Sequence, residues 1–478
     1  MDRVLINAFI LATKQTMCIT STYLYEQTLT TPHLADLYLI CILVSSNRAY
    51  RYHNSSSTVY QNDHLLRHAL PGYTSPTSIP SNTNANTKHK HNAHLCALSS
   101  QIDQYLHAVK HMVTPTPVPS RTDLAKKAGR YRLVAGIFSW LDRYLSWPLP
   151  SRPALELTIP TTISKTPGTI QLYFFTVTGT LLSPGEDEEQ PHTKRPVLID
   201  FHGGGFAVGH PLDDARWIAA VLHAHRDAVV VSVGYRLAPE HPFPAPMEDG
   251  VDAVIWLWEH AGQYRLDRGR FVVCGDSAGG NLCLTIPLRL REELLKRRER
   301  VGECPGIKLA GLIAFYPAVD WSRSRIERAA TNPVAARKSM ISPDVFKFFD
   351  DSYLMVENLP RKVGTDEIDM AHPYVSPGLA PEGLILAAYP GIVAIYTCGW
   401  DQLLVEGDAF RERLRGYVGP GGLVHVGGMV IEDVVHAFDK RPSFFLGNGP
   451  RDRMYGDAVR QLGMMWKEKS RGFDSGEG

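Results

Sequence analysis

Downstream of about residue 195 the chain alternates two kinds of hydrophobic pattern. Short apolar runs at Val197–Phe201, Val229–Val233, Phe271–Cys274, Leu309–Phe315 and Ile392–Cys398 read as strands buried on both faces. Between them, Asp213–His225, Met247–His260 and Ala278–Arg298 repeat their apolar positions at helical spacing. This rhythm predicts an α/β fold: a mostly parallel, twisted central sheet with helices on both sides. In such sheets the functional site lies at the carboxyl ends of the strands. Ala154–Pro160 and Thr169–Thr176 add two strands upstream, ahead of a charged loop at Gly185–Glu189.

Two segments fall outside the rhythm. Leu133–Trp147 places Leu133, Ile137, Trp140, Leu141, Tyr144 and Leu145 near one face of an amphipathic helix. Packing on a core is the ordinary reading of that face; a lid over an apolar site or a membrane-surface contact is the functional one. Asp320–Pro390 is mostly helical and irregular, as expected of an inserted cap.

Composition narrows the functional classes. The chain has 478 residues, with 50 Lys and Arg against 49 Asp and Glu, so its formal charge is +1. That balance supplies no basic surplus to neutralise phosphates and argues against a nucleic-acid partner. The segment from Ser45 to about Ser100 is rich in Ser, Thr, Asn, Pro and His and too poor in apolar area to offset its ordering entropy. His89, His91 and His94 within it lack carboxylate or thiolate company and indicate no metal site. The cysteines at 18, 41, 96, 274, 283, 304 and 398 form no CxxC pair, which fits reduced, buried thiols and a cytoplasmic address. The apolar runs Val4–Ala12 and Leu37–Val44 are shorter than the roughly 20 residues that span a bilayer. The first also lacks the basic flank and small-residue cleavage site of a signal peptide, so Asn54 in its Asn-Ser-Ser sequon is not expected to carry a glycan.

Chemistry enters at Gly275-Asp276-Ser277-Ala278-Gly279, directly after one strand and directly before one helix. A GxSxG at such a turn exposes a nucleophilic hydroxyl, and its glycines let strand and helix approach closely. His202-Gly203-Gly204-Gly205 also follows a strand. Glycine runs bring backbone amides near a ligand, and the amides of Gly203, Gly204 and Ala278 are expected to form an oxyanion hole. Each such donor is typically worth about 100- to 1,000-fold in rate.

Together with Tyr235-Arg-Leu-Ala-Pro-Glu-His-Pro-Phe-Pro-Ala-Pro246 and Asn281 after the serine motif, these segments closely resemble the hormone-sensitive lipase-like branch of the α/β-hydrolases. The resemblance runs from about Leu133 to the C-terminus. It implies the α/β-hydrolase fold with a helical cap, and a carboxylic ester hydrolase with a Ser, Asp, His triad and no cofactor. Taken with the composition shift and the break in the rhythm, it divides the chain into a low-complexity, disordered extension at 1–120, an N-terminal cap helix at 121–150 and a catalytic domain at 151–478, with a cap insertion at 320–390.

Ser277 is the nucleophile of this reading. Asp401, in Gly399-Trp-Asp-Gln-Leu-Leu-Val-Glu-Gly-Asp408, stands at the position of the triad acid. Gln402 and Val405 depart from the family's Pro and Asp. Asp408, expected on the following helix, and Asp433, close to the histidine, are the rivals. His436, in Val434-Val-His-Ala-Phe438, matches the family's His-x-Phe; His425 is its competitor when the residues are read without the resemblance. A base must be neutral, so acidification is expected to lower activity.

The Arg236–Pro246 loop, Ser376-Pro377 and Asp276 have structural readings, Asp276 as a hydrogen-bonding residue within its own loop. Pro287 falls inside the nucleophile helix and ought to kink it. Phe138, Trp140 and Tyr144, with Phe346, Phe348, Phe349 and Tyr353, favour an apolar acyl or alcohol group, unless they merely pack the cap. A small-molecule ester is the expected partner. There is no integral membrane span, although the helix leaves peripheral contact open. A non-catalytic small-molecule receptor is the alternative from another class, and a lipase or a tailoring esterase or deacetylase of specialised metabolism is the alternative within the enzymes.

Overall fold

The computed structural model describes residues 119–145, 152–179, 194–302, 306–339, 341–440 and 449–468. The extension at 1–118, the Gly185–Glu189 loop, Cys18, Cys41, Cys96, Cys304 and the histidine tract lie outside them. So do residues 146–151 of the expected cap helix.

Among the described residues nine strands form one sheet, in the spatial order β1, β2, β4, β3, β5, β6, β7, β8, with β9 also pairing β7. The strands are β1 Leu155–Pro160, β2 Thr169–Phe175, β3 Arg195–Phe201, β4 Val229–Gly234, β5 Leu266–Asp276, β6 Leu309–Phe315, β7 Ile392–Trp400, β8 His425–Gly427 and β9 Val430–Val435. β1, β2 and β4 pair antiparallel; every pairing from β4 onward is parallel. The mostly parallel α/β sheet expected from the apolar runs is therefore present.

Alternation along the strands builds two cores. Val197, Ile199, Phe201, Val229, Val231, Phe271, Val273 and Leu312 face one side, where they meet α3 (Ala245–Glu259) and α4 (Ala278–Val301). Leu198, Val230, Val272, Cys274, Ile313 and Tyr396 face the other, against α2 (Ala215–Ala224) and α10 (Gly449–Lys467). Each fully buried Val, Leu, Ile or Phe contributes about 1.5–3 kcal/mol, and both faces are covered, so the strands read as continuous apolar runs. Cys274, Cys283 and Cys398 are buried free thiols.

α1 (Arg121–Leu145) starts earlier than its apolar spacing suggested and turns the opposite face inward. Leu133, Ile137 and Trp140 are 68%, 52% and 58% exposed, while Leu124, Ala128 and Tyr131 pack against Phe348, Phe349 and Ala207. The core-packing reading of the Leu133 face is thus corrected. Spacing identifies a stripe, not its partner, and here the partner surface takes the face of Leu124, Ala128 and Tyr131. α1 falls short of the apolar length needed to cross a membrane, as does every other described helix.

Residues 320–390 carry α5 (Arg325–Thr331), α6 (Pro333–Lys338), α7 (Pro343–Tyr353) and α8 (Glu382–Ala388) between β6 and β7, and α9 (Leu404–Arg415) follows β7. Ser342 caps α7 by accepting from the Val345 N–H, and a capping box at Ser324 and Glu327 starts α5. α4 runs through Pro287 without ending. The proline removes the N–H that the Cys283 carbonyl would accept, and Tyr389 donates its hydroxyl to the adjacent Leu284 carbonyl at 2.8 Å. That bond supports the turn that the pyrrolidine weakens.

One buried ion pair ties the Arg236–Pro246 loop to α3. Arg236 Nη2 lies 2.6 Å from Asp249 Oδ1, with side-chain exposures of 7% and 0%, and Arg236 Nη1 also donates to the Thr166 carbonyl. Arg236→Met leaves Asp249 buried without its partner, which is expected to cost about 3–5 kcal/mol in urea unfolding. A cost below about 1 kcal/mol would contradict this role.

Candidate active site

The sheet delivers Ser277 at its centre. β5 ends at Asp276 and α4 begins at Ala278, so Ser277 occupies the turn alone, at φ 54° and ψ −111°. A non-glycine residue at positive φ is strained and persists only when its surroundings fix it. The Ser277 N–H donates to the Phe315 carbonyl at 2.9 Å, and the Asn281 N–H donates to the Ser277 carbonyl at 3.0 Å. Gly279 makes the sharp turn feasible, because a Cβ there would fall 1.8 Å from the Phe201 carbonyl oxygen.

His436 follows β9, and Ala437 behind it takes φ 54°, which turns the chain so that the imidazole faces back over the sheet. His436 Nε2 lies 2.8 Å from Ser277 Oγ. Its Nδ1 lies 2.5 Å from Asp401 Oδ2, and Asp401 is buried directly after β7. A carboxylate can only accept, so Nδ1 donates to Asp401 and Nε2 is left to accept the Ser277 proton. The Tyr316 ring meets the imidazole edge-on at a centroid distance of 4.9 Å.

The rivals have other partners. Asp408 sits on α9, as expected, and pairs with Arg411, whereas Asp433 is exposed on β9. His425 lies on β8, which pairs with β7 at Ile392, at the opposite end of that strand from Asp401.

Asn332 was not singled out from the sequence. Its Nδ2 donates to the carbonyls of Gly399 and Asp401, both at 3.0 Å, while its Oδ1 accepts from the Ala335 N–H. One side chain thereby fixes the backbone on both sides of Trp400. An Asn before Pro333 reads as an ordinary helix cap, and its second job, across 69 residues, has no local signal.

The Gly-rich loop departs from expectation at one atom. The Gly203 N–H, assigned to the oxyanion hole, instead donates to Asp276 Oδ1 at 3.0 Å, so it is not available for that role. The structural reading of Asp276 is corrected with it, since its carboxylate bonds across 73 residues rather than within its own loop. No described residue accepts from the N–H of Gly204, Gly205 or Ala278. Phe349 covers the loop so closely that a Cβ at Gly205, φ +59°, would fall 2.2 Å from its ring.

α1 grips the same loop from outside. Arg132 donates from Nε to the Ala207 carbonyl and from Nη2 to the Ala238 carbonyl, at 2.9 and 2.8 Å, and pairs with both carboxylate oxygens of Glu240. Phe206 stacks on Tyr353 of α7 with ring centroids 3.6 Å apart. Ser376 is structural as expected, accepting from the Trp321 N–H and donating to the Met370 carbonyl.

His202, at the head of the loop, is buried and stacked on Tyr235 at 4.4 Å. Burial pushes its pKa down to about 4, against the pull of Asp213. Its Nδ1 lies 2.8 Å from the Gly203 carbonyl and so must carry the proton. Burial also raises Asp276 well above the usual carboxylate range, reinforced by Asp439 and Asp200.

An uncharged serine hydroxyl, an imidazole and a buried carboxylate in series at strand carboxyl ends, beside free backbone N–H groups, can move a proton off an attacking oxygen and receive an oxyanion. A family model described as "alpha/beta hydrolase fold" matches residues 198–440. The human protein arylacetamide deacetylase-like 2 is 30% identical over 321 residues, covering 59% of this chain and 76% of that protein. The chain belongs to the α/β-hydrolase family, in its hormone-sensitive lipase-like branch.

Esterase LipI of Mycobacterium tuberculosis is 41% identical over 129 residues, covering 27% of this chain and 37% of that protein. Carboxylic ester hydrolase LipN of the same organism is 31% identical over 221 residues, covering 46% and 52%. The chain thus spans about a third to a half of the length of these two relatives. A solved esterase of Rhizomucor miehei shares the fold, with a TM-score of 0.53 and 23% identity over 76% of this chain and 96% of that one.

His202 gives the site a pH signature. A histidine whose pKa is held down by burial takes up its proton more readily in the unfolded chain. Its contribution to stability is therefore complete above pH 6.5 and lost as pH falls toward 4, up to about 3 kcal/mol at 1.36 kcal/mol per unit. Urea midpoints from pH 7 to 4 are expected to fall more steeply for the wild type than for His202→Asn. Parallel profiles would contradict the assignment.

Proposed function

We propose that the protein is a carboxylic ester hydrolase in which Ser277, His436 and Asp401 act as nucleophile, base and orienting acid. The observation that carries this reading is the pair of contacts at 2.8 and 2.5 Å that runs from Ser277 through His436 to Asp401. Family membership and the esterase names of the relatives support it. Ser277 Oγ attacks the ester carbonyl while His436 Nε2 takes its proton. The carbonyl carbon becomes tetrahedral and its oxygen takes the negative charge. Collapse expels the alcohol, which leaves with the proton held by His436, and Ser277 keeps the acyl group. Water, deprotonated by the same imidazole, releases the acid and restores the serine.

The oxyanion is received by the N–H groups of Gly204, Gly205 and Ala278. Gly205 replaces Gly203 in that set because the Gly203 N–H is committed to Asp276. The Ala278 amide also opens α4, whose N-terminal end favours negative charge. Asp401 holds the imidazole in one tautomer and stabilises it when charged.

The domain plan follows the same reading. Residues 151–478 form the catalytic domain, with α1 of the 121–150 segment and the 320–390 insertion as its cap. Supporting this, Arg132 bonds to the Gly-rich loop and Phe349 and Tyr353 of α7 lie against it. These rings, with Phe206 and Trp321, border the loop with apolar surface and favour an apolar acyl or alcohol group over a charged one.

A short-to-long series of p-nitrophenyl acyl esters tests this. The wild type is expected to turn over with a peak at one acyl length, and Ser277→Ala to lose about 10⁴-fold or more in kcat, as removal of a triad nucleophile does. Turnover that survives Ser277→Ala, or none by folded wild type at any length, would overturn the proposal.

A further inference from the structure

Lys440 ends the 3-10 turn Phe438–Lys440, four residues after His436. Its ammonium reaches three carboxylates from three parts of the chain. It pairs with Asp214 before α2, with Asp276 Oδ1 at 3.3 Å and with Asp439 Oδ2 at 3.7 Å. All three acids are buried, and Lys440 itself is 24% exposed at its side chain. Asp276 Oδ1 is the same oxygen that accepts the Gly203 N–H. Asp439 is held in turn by the hydroxyls of Tyr316 and Tyr455, at 2.6 and 2.7 Å, and the Tyr316 ring packs against His436. The ammonium therefore stands where the histidine segment, the residue before the nucleophile and the Gly-rich loop meet.

We propose that Lys440 is a positioning residue for the oxyanion-receiving loop. The ammonium, 3.3 Å from Asp276 Oδ1, opposes the burial and the neighbouring Asp439 and Asp200 that push this carboxyl toward its neutral form, and the bond it supports to the Gly203 N–H aims the next two amides, of Gly204 and Gly205, over Ser277. Carboxylates buried within reach of one cation repel one another, and a buried carboxylate that loses its counter-charge takes up a proton. A protonated Asp276 loses the charge-assisted character of its bond to Gly203, roughly half the strength. Displacing such a loop by about 1 Å costs on the order of 100-fold in rate. The inference rests on the ester-hydrolase reading for its kinetic consequence but not for the link from Lys440 to Gly203.

The test uses the full chain as wild type, Lys440→Met, Lys440→Arg, and Lys440→Met combined with Asp276→Asn. With p-nitrophenyl butyrate, Lys440→Met is expected to lower kcat about 10- to 100-fold while KM changes less than about twofold, because a misaimed loop loses transition-state contacts. Affinity for a trifluoromethyl ketone that forms a tetrahedral adduct is expected to fall in step with kcat/KM. Lys440→Arg restores most of the loss. Asp276→Asn adds little further loss in the double variant, since an Asp276 without its counter-charge is already a neutral acceptor for Gly203.

Amide hydrogen exchange in the 202–206 segment is expected to quicken in Lys440→Met. Lys440→Gln, uncharged but still polar, takes its place if the Met variant does not fold. Wild-type kcat in a folded Lys440→Met, or unchanged exchange at 202–206, would overturn the proposal. Should the wild type not turn over esters at all, the ester-hydrolase reading fails by itself. Exchange then decides the Lys440 link alone, faster exchange upholding it and unchanged exchange overturning it.

Discussion

The site depends on a single turn that the backbone does not favour. Ser277 sits at φ 54° between a strand and a helix, with no room for error on either side. The Phe201 carbonyl presses on Gly279 from β3, and the Phe315 carbonyl receives the Ser277 N–H from β6. β3 and β6 are the two neighbours of β5 in the sheet, so the strain at Ser277 is held by the sheet's central pairings. The parallel core, buried on both faces, is what makes that clamp stiff.

Around this turn the structure gathers segments that are far apart in sequence. Asp401 leaves β7 and His436 leaves β9, and β7 pairs with β9, so the carboxylate and the imidazole are brought into register by sheet hydrogen bonds. Asn332 fixes the backbone on both sides of Trp400 from the insertion between β6 and β7. Arg132 fixes the Gly-rich loop from α1. Four carboxylates, of Asp200, Asp214, Asp276 and Asp439, are buried in this part of the fold, Asp276 directly before Ser277. Such burial is expensive unless hydrogen bonds and a cation compensate it, and here Ser232, Gly203, Tyr316, Tyr455 and Lys440 do so. Compensation and positioning are the same contacts.

Much of this was legible in the sequence where local chemistry is distinctive. All-apolar runs gave β3 to β7, because strands buried on both faces leave no other pattern. The Gly275–Gly279 segment placed Ser277 on its turn because a sharp strand-to-helix junction tolerates few residues there. Asp401 and His436 followed from their places after strands together with the family resemblance. Pairwise geometry was not legible. Gly203 and Gly204 are equivalent in sequence, and only the Asp276 carboxylate distinguishes them. The apolar stripe of α1 points outward because Leu124 and Ala128 pack against Ala207 and Phe348 instead, a choice that depends on the partner surface. Lys440 reads as an ordinary charged residue until Asp214 and Asp276 are brought to it from 226 and 164 positions away.

The most direct test of Ser277 as an acyl-accepting nucleophile is peptide mapping by mass spectrometry after treatment with an alkyl fluorophosphonate. One phosphonyl adduct is expected, on Ser277, formed by the wild type and about 10³-fold or more slower in His436→Gln, since the imidazole must take the serine proton. No adduct on the folded wild type, an adduct on another residue, or an equal rate in both proteins would contradict it.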